Sequence, residues 1–271
     1  MRPPRKKYVF LGFVLILLGI WMVILPSNDR NWSADQAILP YAEINGNSVL
    51  IRHVRSNRYR STTDYDVKHE DRTYNLSQIE SVWFIVEPFS SGKGVAHTFL
   101  SFGFENGDYV GISIEIRKEK GEKFSWYGGL FKRFELTYVA GDERDLIGLR
   151  ANMRKDDVYL YRGNAPKEKI RALFLSMLDR MNKLHGRPEF YNTLTNTCTT
   201  IFVRHIGTIS ETDIPWNLSV LLPATSDKLA YDLGLLDTSI PFEELKAQSR
   251  INDLAAKYAD DPAFSQMIRR Q

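Results

Sequence analysis

Two strand-like runs flank one turn signal between residues 97 and 117: His97-Thr-Phe-Leu-Ser-Phe-Gly-Phe104, then Glu105-Asn-Gly-Asp108, then Tyr109-Val-Gly-Ile-Ser-Ile-Glu-Ile-Arg117. Aromatic and β-branched residues on both sides of Asn-Gly predict a β-hairpin, and the turn type decides which side chains face each other. A three-residue loop over 105–107, with Gly107 left-handed in a bulge, pairs Phe104 with Asp108 and sets His97 opposite Glu115. A two-residue turn at Asn106 and Gly107 pairs His97 with Ile116 instead and sends Glu115 to the other face. In the first register Glu115 can orient the His97 imidazole. Its ordinary alternative is a surface carboxylate paired with Arg117 or Lys118.

Other segments supply the layers around this hairpin. Ser48-Val-Leu-Ile-Arg-His-Val54 reads as a strand, and Ser81-Val-Trp-Phe-Ile-Val86 as a continuous apolar run suited to a buried one. Residues 131–139 and 157–161 add two more. From Pro166 the period changes: Ile170, Leu173, Phe174, Met177, Leu178, Met181 and Leu184 recur at three and four residues, which predicts an amphipathic helix ending at Gly186. Beyond Pro215 come an apolar-periodic stretch to Leu236 and a charged helix from Pro241 to about residue 259, without identifiable chemistry. The expected class is α+β, a mostly antiparallel sheet packed against helices. A chain of 271 residues, 43% hydrophobic, can bury one substantial core plus appendages.

Residues 8–25 carry no charge and reach the short end of what crosses a bilayer as a helix. A cleaved signal peptide would follow its apolar run with a small-residue site; here the chain continues Pro26-Ser-Asn-Asp-Arg30, which favours an uncleaved signal anchor. Arg2, Arg5, Lys6 and Lys7 precede it and keep that end in the cytoplasm, so the rest is expected to be periplasmic. The expected organisation is a basic segment 1–7, a transmembrane anchor 8–25, a polar linker 26–40, a domain 41–210 and a helical extension 211–271. Arg52, Arg55, Arg58 and Arg60 read as a solvated face rather than a lipid-phosphate site. With a net charge of +3, partly from the N-terminal basic residues, no nucleic-acid partner is indicated, while the anchor makes membrane lipid the expected one.

The only cysteine, Cys198, lies in Tyr191-Asn-Thr-Leu-Thr-Asn-Thr-Cys198-Thr-Thr-Ile-Phe-Val-Arg-His205. Thr195 or Asn196 as N-cap would place Cys198 in the first turn of a helix, where unpaired amides and the dipole favour a thiolate. A lone cysteine is otherwise a small buried hydrophobe. It excludes an internal disulfide and fits no Cys-based zinc spacing, so neither metal nor cofactor is expected. A nucleophilic thiol needs a base. His205 stands seven residues along the same helix, roughly 10.5 Å away. His185 reads as part of a helix end beside Gly186, and His53 and His69 lie in polar surroundings. His97 remains, and a histidine at a strand's start near a thiol at a helix's start is papain-like geometry. Sulfur and imidazole on different faces of the domain, or more than about 6 Å apart with packed atoms between, would end any acyl-transfer account built on that pair.

Four stretches, Ala96-His-Thr-Phe-Leu-Ser-Phe-Gly-Phe104, Ser113-Ile-Glu-Ile-Arg117, Glu143-Arg-Asp145 and Phe190-Tyr-Asn-Thr-Leu-Thr-Asn-Thr-Cys198, together resemble the Lnb-type N-terminal periplasmic domain from about residue 31 to 205. The resemblance implies a permuted papain-like thiol domain, His before Cys, akin to permuted NlpC/P60 and lecithin:retinol acyltransferase-like proteins. The named Lnb proteins are linked to N-acylation of lipoproteins through a cysteine; this chain differs in having one N-terminal anchor and no later spans. On that footing Cys198 attacks an acyl carbonyl, His97 takes its proton, Glu115 orients His97, and Asn192 or Asn196 supports the oxyanion. Trp126 and Tyr127, in a Gly- and aromatic-rich loop, would line an acyl channel. A peptide or cell-wall amide hydrolase using the same dyad is the second reading, and a non-catalytic scaffold with an inert thiol the third. An apolar channel beside Cys198 favours acyl chains, an open polar groove peptides.

Overall fold

A computed structural model describes residues 5–89, 94–209 and 223–270. Helix α1 (Arg5–Val23) comes first, with Tyr8, Val9, Phe10 and Met22 exposed. The side chains of Leu17, Leu18 and Ile20 lie outside the described residues. Among the described residues no helix is long and apolar enough to cross a membrane, so the expected span is not part of the observed fold. Residues 26–40, expected as a polar linker, instead dock on the domain. Trp32 is buried beneath Arg117, whose guanidinium lies 4.2 Å from the ring, and Asn28 donates to the His185 carbonyl at 2.9 Å.

The strands follow as β1 (Tyr41–Asn45), β2 (Ser48–Arg55), β3 (Arg58–Tyr59), β4 (Tyr65–Asp66), β5 (His69–Asn75), β6 (Ile79–Pro88), β7 (Ala96–Phe104) and β8 (Tyr109–Arg117). After the short helix α2 (Trp126–Leu130) come β9 (Glu135–Gly141), helix α3 (Glu143–Gly148) with a π-helical turn (Leu149–Arg154), and β10 (Tyr159–Arg162). Then follow α4 (Lys167–Gly186), α5 (Cys198–Ile209), α6 (Ser226–Asp232), α7 (Phe242–Ser249), α8 (Asn252–Lys257) and α9 (Phe264–Met267). Among the described residues the sheet has eight strands in the order β1-β2-β9-β8-β7-β6-β10, with β5 also paired to β2, and its only parallel contact joins β2 to β9 at Arg55 and Gly141. The α+β class, mostly antiparallel, is therefore observed. Residues 131–134, expected within a strand, lead out of α2 instead through Lys132 at φ 57°. The charged helix expected from Pro241 breaks at Arg250 because Ile251 is fully buried and its N–H donates to the Val158 carbonyl at 3.0 Å.

The hairpin adopts the three-residue loop. Phe104 N–H donates to the Asp108 carbonyl at 3.0 Å, and Gly107 sits at φ +84°. Phe99 then opposes Ser113 and Leu100 opposes Ile112, a register that runs on to set His97 level with Glu115. Side chains alternate across a strand. Leu100, Phe102 and Phe104 therefore point to one face, where Phe102 meets Phe174 of α4 at 4.8 Å between rings. His97, Phe99 and Ser101 point to the other, covered by α3 and the π-helical turn. On that face Leu146 lies so close to the sheet that a Cβ on Gly111 would approach its side chain to 2.5 Å.

The helices after residue 223 are part of this body. Phe264 and Ile268 are buried, and the Arg269 guanidinium lies 3.7 Å from the Tyr109 ring and 4.7 Å from Trp83 while bonding both oxygens of buried Glu143. Arg269→Ala would leave Glu143 a buried charge without its partner. Urea unfolding should show a loss of about 3–5 kcal/mol, and adding Glu143→Gln should recover part of it.

Candidate functional site

Helix α5 begins at Cys198, as expected, but its cap is Thr197 rather than Thr195 or Asn196. Thr197 N–H donates to Thr200 Oγ1 at 2.8 Å and Thr200 N–H returns a bond to Thr197 Oγ1 at 3.2 Å, a capping box built from two threonines. Cys198 follows the cap and is 7% exposed, and its described polar contact is Thr199 Oγ1 at 3.8 Å. Nearby Tyr191 has its phenol pushed above its ordinary range by burial and by Cys198.

Asn192 and Asn196 close the loop before the helix. Asn192 Oδ1 accepts from the Leu194 and Thr195 amides at 2.9 and 3.1 Å, and Asn196 Nδ2 donates to the Phe190 carbonyl at 3.1 Å. Asn196 Oδ1 also accepts from Arg204 of α5 at 3.4 Å, so the described bonds of both side chains go to the loop and to α5 rather than to the sulfur. Helix α2 packs on this loop: a Cβ at Gly129 would stand 2.3 Å from Thr193 Oγ1 and 3.0 Å from the Tyr191 ring. Tyr127 is exposed, and the Trp126 side chain lies outside the described residues.

His97 sits in a buried polar chain. Ser113 Oγ donates to Glu115 Oε1 at 2.8 Å and so accepts from His97 Nε2–H at 2.7 Å, which assigns the ring's proton to Nε2. Glu115 Oε1 is 3.7 Å from His97 Nε2 and takes a bond from Arg150 at 3.0 Å, while Gln36 Nε2 donates to Glu115 Oε2 at 3.3 Å, so its partners are Ser113, Arg150 and Gln36, not Arg117 or Lys118. Arg150 also binds buried Glu87 at 2.7 Å, and Arg154 reaches the same carboxylate at 3.2 Å. Burial, with the Arg150 guanidinium beside it, pushes His97 down from 6.5 to about 3, against the pull of Glu115. Burial works against the Glu115 charge, yet Arg150 and Arg55 hold it well below the usual carboxylate range. Arg55, expected on a solvated face, is itself buried against Asp145 at 2.9 Å.

The Cys198–His97 pair expected from the sequence is not formed. His97 shares its face with Ser113, Glu115 and Arg150, whereas α5 packs on the opposite face. There His205 Nε2 bonds the Tyr138 hydroxyl and its Nδ1 the Ser176 hydroxyl, both at 2.8 Å, and Tyr138 is paired with Ile114, one residue out of step with Glu115. The sheet stands between thiol and imidazole, and no described contact joins them. Strand alternation decides this, and a reading by residue type passed over it. Reading residue types also missed Ser113, Arg150 and Glu87. Ser113 was legible as the residue two before Glu115 on one strand face; Arg150 sits in a π-helical turn that leaves no periodic pattern.

Beside the Cys198 turn, on the α5 face, is a cavity of about 340 Å³ lined by Leu100, Leu173, Thr199, Phe202, Val203 and Leu229 among others. It is predominantly apolar and lies at the low end of the roughly 300–1,000 Å³ usual for ligand pockets. Among the described residues no group of three or more His, Cys, Asp or Glu side chains is arranged to hold a metal ion. The family model described as the Lnb N-terminal periplasmic domain matches residues 65–227. No curated protein and no solved structure matches the chain.

The depressed His97 gives a measurable pH dependence. Below pH 6.5 the unfolded chain takes up a proton that the folded imidazole refuses until about pH 3, so stability falls as pH falls through that window. His69, and His205 at about 4, are lowered too and act in the same sense. His97→Gln should therefore flatten, without abolishing, the decline in urea midpoint as pH is lowered from 6.5. An unchanged slope would place the His97 pKa near its ordinary value.

Proposed function

The chain belongs to the Lnb N-terminal periplasmic domain family, and on that premise we propose that it is a membrane-tethered extracytoplasmic domain that takes an acyl chain into the cavity beside Cys198. The apolar lining of that cavity, next to the first turn of α5, carries the reading. A peptide or cell-wall amide would need polar partners along an open groove, and the lining offers few, which disfavours the amide hydrolase. The tether is α1 with the uncharged run 8–25, of which Tyr8, Val9, Phe10, Ile16, Met22 and Leu25 among the described side chains stand exposed and would be covered by lipid. Tethering confines the domain to the surface where acyl chains are concentrated.

A second reading adds chemistry at the thiol. Residue 198 follows the Thr197–Thr200 box at the N-terminal end of α5, where the first-turn amides would hold an oxyanion. An acyl ester carbonyl attacked by Cys198 would form the C–S bond and break the C–O bond, the thiol proton leaving with the alcohol. His97 takes no part in this version. Glu115 then serves the buried network, and Asn192 and Asn196 serve the loop.

Both readings are tested with the full chain in vesicles carrying an alkyne-tagged phospholipid and with a fluorescent sixteen-carbon fatty acid. The fatty acid should bind, and Val203→Trp, which projects into the cavity, should weaken binding at least tenfold, about 1.4 kcal/mol. Absence of binding would sink the acyl-chain reading. A hydroxylamine-labile tag that disappears in Cys198→Ser but persists in His97→Ala would establish thioester formation; no such tag would leave binding as the activity.

A further inference from the structure

The segment around α2 presents three large aromatic side chains to solvent, Phe124, Tyr127 and Phe131, exposed by 47%, 53% and 66%. Its carboxylates are already paired, Glu119 with Arg30 at 3.2 Å and Glu122 with Arg133 at 3.0 Å. Lys120 and Lys123, in the same segment, are exposed. This surface is continuous with the end of α1: Lys132 Nζ donates to the carbonyls of Trp21 and Ile24 at 3.0 and 3.3 Å and lies 4.4 Å from the Trp21 ring. Leu25, just beyond, is 76% exposed, and Leu194, on the loop that α2 touches through Gly129, is 55% exposed.

We infer that Phe124, Tyr127 and Phe131, with Lys120 and Lys123, dock into the headgroup layer of an anionic phospholipid bilayer and fix the orientation of the domain on it. The inference rests on α1 being the tether. Aromatic rings with a polar or solvated rim sit at the level of the headgroups, and lysines beside them are drawn to anionic lipid. A helix anchored in the bilayer and pinned at Lys132 holds this patch within reach of the same surface. Docking would turn the 191–198 loop, which leads to Cys198, toward the lipid, so that an acyl chain need not cross water to reach the cavity.

The test uses the full chain reconstituted in phosphatidylglycerol–phosphatidylethanolamine vesicles containing a diazirine phospholipid, with cross-linked peptides mapped by mass spectrometry. Cross-links are expected in 124–131 and at Leu194 as well as in α1. The triple variant Phe124→Ser, Tyr127→Ser, Phe131→Ser should lose those in 124–131 while α1 stays labelled. Because all three side chains are exposed, circular dichroism should report an unchanged fold. Vesicles of phosphatidylcholine alone should give markedly fewer cross-links in 124–131. Cross-links confined to α1, equal labelling in the two vesicle types, or protection of 124–131 by a second copy of the chain would overturn the docking. Resistance to a carbonate wash reports separately on α1: a chain that washes off sinks the tether, whereas a retained chain without cross-links in 124–131 sinks the docking alone.

Discussion

The architecture depends on one backbone constraint, the bulged loop that Gly107 closes at the tip of the β7–β8 hairpin. With Gly107 left-handed, Phe99 to Gly103 are paired with Ser113 to Tyr109, and each side chain of β7 is assigned a face of the sheet. One residue fewer in the loop would turn Glu115 away from His97 and exchange the apolar and polar sides of β8. From this register follow an apolar face that receives α4 and α5, and a polar face where His97, Ser113, Glu115 and Arg150 form a buried chain of donors and acceptors.

The two faces separate two kinds of chemistry. On one, buried charges are paired or hydrogen-bonded, and the imidazole between them is held neutral by burial and by Arg150. Such a network gains more in fixing one arrangement of the sheet and the turn over it than in net stability, because desolvation offsets most of the attraction. On the other, the thiol is set at the start of α5, whose Thr199, Phe202 and Val203 line an apolar cavity, and no described hydrogen bond joins it to a histidine. The papain-like arrangement of types, a strand histidine and a helix-start cysteine, is present in the chain, but the sheet divides it.

Much of this was legible before any coordinates. The Asn-Gly turn marked the hairpin and left two registers open, one of which is the register that occurs. The three- and four-residue spacing from Ile170 to Leu184 marked α4, and the Thr- and Asn-rich run marked the start of α5. What stayed hidden depended on partners far along the chain. Nothing local in Arg55 distinguishes a solvated arginine from one buried against Asp145, and nothing in Trp32 announces that it lies under Arg117. The pairing of His97 with Cys198 failed for a related reason. Residue type proposed it, but the face of the sheet is a property of parity and of which helices cover which side.

The seat of Arg269 between Trp83 and Tyr109 also bears on how the chain reaches its final form. Those rings belong to strands laid down early in synthesis, while the guanidinium that caps them and the carboxylate of Glu143 arrives only when most of the polypeptide is complete. Until then Glu143 at the start of α3 lacks that cation and the Trp83 and Tyr109 rings lack their cover, so the fastening of α3 to this edge of the sheet waits on the segment around Arg269.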